Sequence, residues 1–198
     1  MEKKLLSSRN LVQIGMFGAL AGVLMLVEIP LPFIAPPFYE LDFSEVPVLI
    51  GTFSMGPVAG VLIELIKILL KLLLKGTSTA YVGDVANFVI GCCFLLPAGI
   101  IYKMNRTKKG ALIGMAAGTI MMAAVGAVAN AYILLPFFSR LYGMPMDKLI
   151  AMGTAVNGLI TNIPTFVLIA VVPFNLIKGI IVSLITDLVY KRVRKLIH

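Results

Sequence analysis

The sequence has no tryptophan, one histidine at its last position (His198), and two cysteines, the adjacent pair Cys92 and Cys93. A single terminal histidine argues against histidine-based catalysis and His-ligated metal sites. Two neighbouring cysteines match no metal-ligand spacing and read as small packing residues in an apolar stretch. Charge is also scarce: 13% of the 198 residues are charged and only nine are acidic. No Walker sequence is present. What remains is 60% hydrophobic, with a mean hydropathy of +1.02. That composition excludes an ordinary soluble domain and describes a polytopic membrane protein.

The formal charge of +8 could point to nucleic acid, but the positions of the charges argue against it. Lys3, Lys4 and Arg9 precede the first apolar run. Lys103, Arg106, Lys108 and Lys109 form a central block, and Lys191, Arg192, Arg194 and Lys195 lie near the end. These clusters hold 11 of the 17 basic residues and mark cytoplasmic segments by the positive-inside rule. The basic excess therefore reports topology rather than a polyanionic ligand.

A helical span needs about 20 apolar residues. Residues 11–27 form the first span; no small-residue cleavage site follows, so it reads as retained rather than as a signal peptide. Residues 29–41 carry Pro30, Pro32, Pro36 and Pro37 among Phe33, Phe38 and Tyr39, which predicts an ordered outer loop acting as a lid. Residues 46–55 and 57–74 read as two spans hinged at Gly56-Pro57. Residues 80–102 and 111–135 give the fourth and fifth. The apolar stretch 149–190 could hold one span or two, and only one leaves the final basic cluster inside. Residues 143–161 then form an outer loop with a surface helix, and 164–190 a sixth span bent at Pro173. The expectation is an all-α integral membrane protein, a single six-helix domain over 1–198 with both termini cytoplasmic.

Lys178, in Pro173-Phe174-Asn175-Leu176-Ile177-Lys178-Gly179, is the most unusual residue in this setting. An ammonium at membrane depth is costly unless it faces a cavity or a partner. Helical rise puts it roughly 18 Å above the inner boundary of a core about 30 Å thick, with Asn175 one turn higher on the same face. Asn130, Asp84 and Asn87 fall in the same outer half, which predicts an outward-open pocket covered by Phe38, Tyr39 and Glu40. Other roles remain open for each. Asn87 and Asn130 serve equally as interhelical glue, Tyr39 and Phe38 as interfacial aromatics, and Lys178 as a structural partner of Asp84 or Asp187. Glu64 and Lys67 read as an ion pair along one helix, with Lys71 and Lys75 snorkelling outward. Small residues at Gly15, Gly18, Ala19 and Gly22 give the first span a face for close helix packing, either internal or against another subunit.

Four motifs occur in order: Leu41-Asp42-Phe43-Ser44-Glu45-Val46-Pro47; Gly56-Pro57 with Gly60 to Lys67; Val82-Gly83-Asp84-Val85-Ala86-Asn87-Phe88; and the Pro173 to Gly179 segment. Together they closely resemble the riboflavin-specific substrate-binding components (S components) of energy-coupling factor (ECF) transporters, from about Val27 onward. The resemblance implies a subunit in a prokaryotic cell membrane that captures riboflavin from outside. It implies no catalytic residue, metal or cofactor in this chain, a transmembrane coupling protein and two cytoplasmic ATPases as partners, and delivery by reorientation in the bilayer. It carries riboflavin binding onto Glu40, Asn130, Asn175 and Lys178, with Tyr39, Leu41, Gly83, Asp84 and Asn87 beside them. Asp84 stands where the family commonly has Glu. The resemblance gives the first-helix face a coupling-protein contact, with Gly15, Ala19 and Gly22 in place of the family's alanine-x3-alanine. A related flavin or a different vitamin as substrate, or an intramembrane protease using Asp84 and Asp187, is the alternative reading. Against the protease, those two aspartates fall near opposite membrane faces and lack that class's motifs.

Overall fold

In a computed structural model, the backbone is described for residues 7–197 and the side chains as far as Tyr190. The basic residues Lys3, Lys4, Lys191, Arg192, Arg194 and Lys195, and also His198, lie outside the described side chains. Helix α1 (Ser8–Met25) leads through a loop to α2 (Glu45–Met55) and α3 (Pro57–Lys75). Helices α4 (Val82–Met104) and α5 (Lys108–Ala129) follow, and α5 continues through a π-helical turn (Asn130–Leu134) into α6 (Leu135–Leu141). A surface helix α7 (Met146–Val156) precedes α8 (Ile163–Phe166), a second π turn (Val167–Val171) and α9 (Val172–Ile197).

Local chemistry accounts for the breaks. Between α2 and α3, Gly56 adopts φ +99°, a conformation that favours glycine, and Pro57 opens α3 where a missing N–H costs nothing. Thr107 caps α5 by accepting from the Gly110 N–H at 3.1 Å. Each π turn sits just before a proline, Pro136 or Pro173. A proline lacks the N–H that the carbonyl four residues earlier would accept, and widening the helix by one residue absorbs the mismatch. The Leu135 N–H therefore reaches back to the Asn130 carbonyl, and the Val172 N–H to that of Val167. The bend expected at Pro173 is thus a widened turn, and the fifth span runs on past residue 135 to Leu141.

The proline-rich loop is ordered. Strands β1 (Ile29–Pro30) and β2 (Glu40–Leu41) pair antiparallel and close its base, with Ile29 opposite Leu41. Ala35, Ile34 and Leu31 pack it against Phe166, Val171 and Phe174 at the start of the last long helix. The main core lies below, around Leu49, Ile63, Phe94, Leu95, Met115 and Val182. Helices α4 and α5 pack closely: a Cβ on Gly114 would lie 2.7 Å from the Ala98 carbonyl oxygen. Among the described residues, three helices are long and apolar enough to cross a membrane, Val82–Met104, Lys108–Leu141 and Ile163–Tyr190. α3 is long but carries Glu64, Lys67, Lys71 and Lys75, and α2 is short.

Candidate functional site

The end of the bundle that carries the loop holds a cavity of about 250 Å3. It is bounded by the C-terminal ends of α1 and α3, the N-terminal turns of α4, the last turns of α5 and the upper part of α9. Tyr39, Glu40, Gly83, Asp84, Asn87, Asn130, Asn175 and Lys178 all line it. The ninth expected residue, Leu41, does not. Successive strand residues point to opposite faces, so Glu40 is exposed toward the cavity while Leu41 is buried on the other side. Apolar walls come from Met25, Ile90, Met122, Leu134 and Phe174.

The polar groups are held in fixed orientations. The Tyr39 hydroxyl donates to Asn130 Oδ1 at 2.5 Å, and Asn130 Nδ2 donates back to the Gly126 carbonyl at 2.8 Å. Asn175 Nδ2 likewise donates to the Val171 carbonyl at 2.9 Å, inside the second π turn. Both carboxamides therefore keep acceptor capacity toward the cavity. Asn87 faces the same space without a hydrogen-bond partner among the described residues. Burial raises the Tyr39 hydroxyl well above the usual phenol value, so it stays a donor. Its ring packs against Phe38, Phe166 and Phe174.

Lys178 pairs neither with Asp84 nor with Asp187. Its ammonium donates to Asp42 Oδ2 at 2.8 Å, and Asp42 also accepts from the Ser44 N–H at 2.9 Å and from the Ser44 hydroxyl. Burial would raise the Asp42 carboxyl, but the Lys178 and Lys67 charges, with the hydrogen bonds from Lys178 and Ser44, outweigh it and hold the group at about 2. Asp84 instead binds Lys71 at 2.5 Å and accepts from the Thr77 hydroxyl at 2.7 Å. Lys71 is therefore buried in the cavity wall and does not snorkel outward. Lys75 pairs with Glu28 at the rim. There, burial and the Glu28 carboxyl raise Glu40 above the ordinary carboxyl range, against the opposing pull of Lys75 and Lys71.

The expected Glu64–Lys67 pair forms at 2.6 Å, and Glu45 joins it at 2.7 Å. Asp42, Glu45 and Lys71 are cavity residues that sequence reasoning did not single out. Asp42 and Glu45 flank the Glu40 segment in the same motif, whereas nothing local marks Lys71. Asp187 lies 3.5 Å from Lys108, and Asp84 is about 30 Å from that level by helical rise along α4, so the two aspartates form no catalytic dyad. Among the described residues no group of three or more His, Cys, Asp or Glu side chains is placed to hold a metal ion. On α1, Gly22 packs internally: a Cβ there would lie 2.9 Å from Leu70 Cβ, and Gly18 is similarly closed by Ile66. Gly15 has no heavy atom within 4 Å of such a Cβ, and Ala19 is exposed.

A few placed polar groups between apolar walls are the general make-up of a small-molecule site. Residues 9–190 match the family model described as "ECF transporter, substrate-specific component". The chain is 36% identical to the riboflavin transporter RibU of Staphylococcus aureus (strain TCH60), over 93% of this chain and 90% of that one. It is 31% identical to the riboflavin transporter FmnP of Bacillus subtilis (strain 168), over 94% and 92%. A solved structure described as the S component of a bacterial ECF transporter superposes with a TM-score of 0.74 at 38% identity, covering 94% of this chain and 95% of the other. The chain belongs to the substrate-specific components of ECF transporters.

Proposed function

We propose that this chain binds riboflavin in the cavity beneath the proline-rich loop and serves its uptake as the substrate-specific subunit of an ECF transporter. The observation that carries this reading is the convergence of Tyr39, Glu40, Asn87, Asn130, Asn175 and Lys178 on one cavity, from one loop and three helices. The riboflavin transporters to which the chain is similar support the choice of ligand. Riboflavin offers an apolar dimethylbenzene edge to Met25, Ile90, Met122 and Phe174. Its carbonyl and N–H edge suits carboxamides and an ammonium, and its hydroxylated chain suits Glu40 or Asp84 as acceptors.

In this reading the chain crosses the bilayer six times with both termini cytoplasmic. The basic block Lys103, Arg106, Lys108 and Lys109, at the end opposite the cavity, supports that orientation. The loop closed by β1 and β2 is the lid. Gly15 and Ala19, on the open face of α1, meet the transmembrane coupling protein, whose two cytoplasmic ATPases drive the reorientation that delivers the vitamin. Gly22 supports that face only from behind, since Leu70 covers it. The chain itself catalyses nothing.

The test is titration of the purified protein with riboflavin in the absence of nucleotide, read by quenching of flavin fluorescence, with flavin mononucleotide as competitor. Saturable quenching with weaker binding of the phosphorylated flavin is expected. No quenching by riboflavin would sink the ligand assignment.

A further inference from the structure

The carboxyl and amine side chains buried among the described residues are those of Asp42, Glu45, Glu64 and Asp84 on one side and Lys67, Lys71 and Lys178 on the other. Fully ionised, they leave one uncompensated negative charge in a medium of low dielectric, where an unpaired ion is strongly disfavoured. We infer that the Glu45–Glu64 pair binds one proton, so that a carboxylic acid and a carboxylate, not two carboxylates, share Lys67.

Hydrogen-bond partners show where the excess sits. Asp42 is satisfied by Lys178 and Ser44, and Asp84 by Lys71 and Thr77. Glu45 and Glu64 both lie against the single Lys67 nitrogen, at 2.7 and 2.6 Å. Only Glu45 Oε1 has hydrogen-bond geometry to it; Glu45 Oε2 and both Glu64 oxygens are buried without a hydrogen-bond partner. Two carboxylates competing for one ammonium in a dry site cannot both stay ionised cheaply.

Glu45 lines the cavity and Glu64 lies behind it, so the cavity is the route by which the proton exchanges with water. The ionisable groups facing the pair are Lys67 beside Glu64 on α3, Cys92 on α4, Lys178 on α9 and, beyond Lys67, Asp42. Gly91 of α4 closes the site, since a Cβ there would lie 2.8 Å from Glu64 Cδ. The step is the addition of one proton from water to one carboxylate, with no other bond changed. The inference holds whether or not riboflavin is the ligand.

The test is infrared difference spectroscopy of the full-length, vitamin-free protein in lipid nanodiscs, comparing H2O with D2O from acid to mildly alkaline pH. A protonated-carboxyl C=O band that shifts in D2O is expected at neutral pH. It should vanish in both Glu45→Gln and Glu64→Gln, because the remaining carboxylate then has Lys67 to itself. It should persist in Asp84→Asn, and its area should about double in Lys67→Met, where the excess becomes two. Absence of the band in the wild type, its survival in both Gln variants, or its displacement by sodium would overturn the proton assignment.

Stability provides a measurement that needs no band assignment. A proton held in the folded state and released on unfolding makes the unfolding constant rise about tenfold per pH unit across neutral pH, so stability falls as pH rises. Glu64→Gln should flatten that slope, and an unchanged slope in that variant would likewise overturn the inference.

Discussion

Lys178 Nζ and Asp42 Oδ2 meet at 2.8 Å across 136 residues of sequence, joining the base of the proline-rich loop to the last long helix. The pair fixes the ammonium at the cavity wall, and a bound ligand reaches an oriented donor rather than a mobile one. Lys178→Ala is expected to weaken riboflavin binding by roughly 10- to 100-fold, the range for losing a hydrogen bond to a charged group. Asp42→Asn should cost less, and the double variant should lose less than the two single losses combined, because the lysine needs its partner. Fluorescence titration of the four proteins measures this. Full additivity would mean that the ion pair does not position the lysine.

The roof of the site depends on the Tyr39 hydroxyl and Asn130. Tyr39→Phe keeps the ring contacts with Phe166 and Phe174 and removes one neutral hydrogen bond worth about 1 kcal/mol, so roughly a fivefold loss of riboflavin affinity is expected. Asn130→Ala removes both the hydroxyl's acceptor and the carboxamide, and should lose more. Wild-type affinity in both variants would take the roof out of the binding site.

Asp42 gives the protein an acid limit. Its carboxyl is held at about 2, below the ordinary aspartate value near 3.9, so its ionised form stabilises the folded state. That contribution is fully present above about pH 4 and is lost as pH falls through the folded value. Thermal unfolding followed between about pH 5 and pH 2 should show a falling midpoint that is shallower in Asp42→Asn.

Two glycines separate packing from binding. Gly114→Ala would press its methyl group against the Ala98 backbone and should destabilise the fold by about 1–3 kcal/mol. Gly126→Ala would put a Cβ 3.0 Å from Asn175 Nδ2, so the carboxamide must shift by a few tenths of an ångström from its place in the cavity wall. Its main effect should be weaker riboflavin affinity with near-normal stability. Thermal midpoints and titrations of the two variants distinguish these outcomes.

The helices and the ordered loop were legible because their signals are local. Apolar runs, the Gly56-Pro57 hinge and a proline cluster act on their own neighbours, and the predicted boundaries fall close to those observed. The cavity residues were legible for a related reason. A polar side chain in an apolar helix is anomalous wherever it lies, and helical rise alone puts Asn87, Asn130, Asn175 and Lys178 toward one end of the bundle. Leu41 lies off the cavity wall, and a motif match does not say which face of a strand a residue takes. Lys71 failed because a lysine near a helix end looks alike whether it reaches solvent or a buried carboxylate.

The sequence by itself determined a membrane protein built of apolar helices, the places of polar residues along them, and its family. These follow from hydropathy, helical geometry and ordered motifs. Only the tertiary structure decided the ionic partners: Lys178 with Asp42, Lys71 with Asp84, and Lys67 shared between Glu45 and Glu64. It also decided that Gly22 faces inward while Gly15 and Ala19 face out. An ammonium is attracted to any carboxylate within reach, so the pairing is set by which helices pack together, and residues 136 positions apart carry no local trace of it.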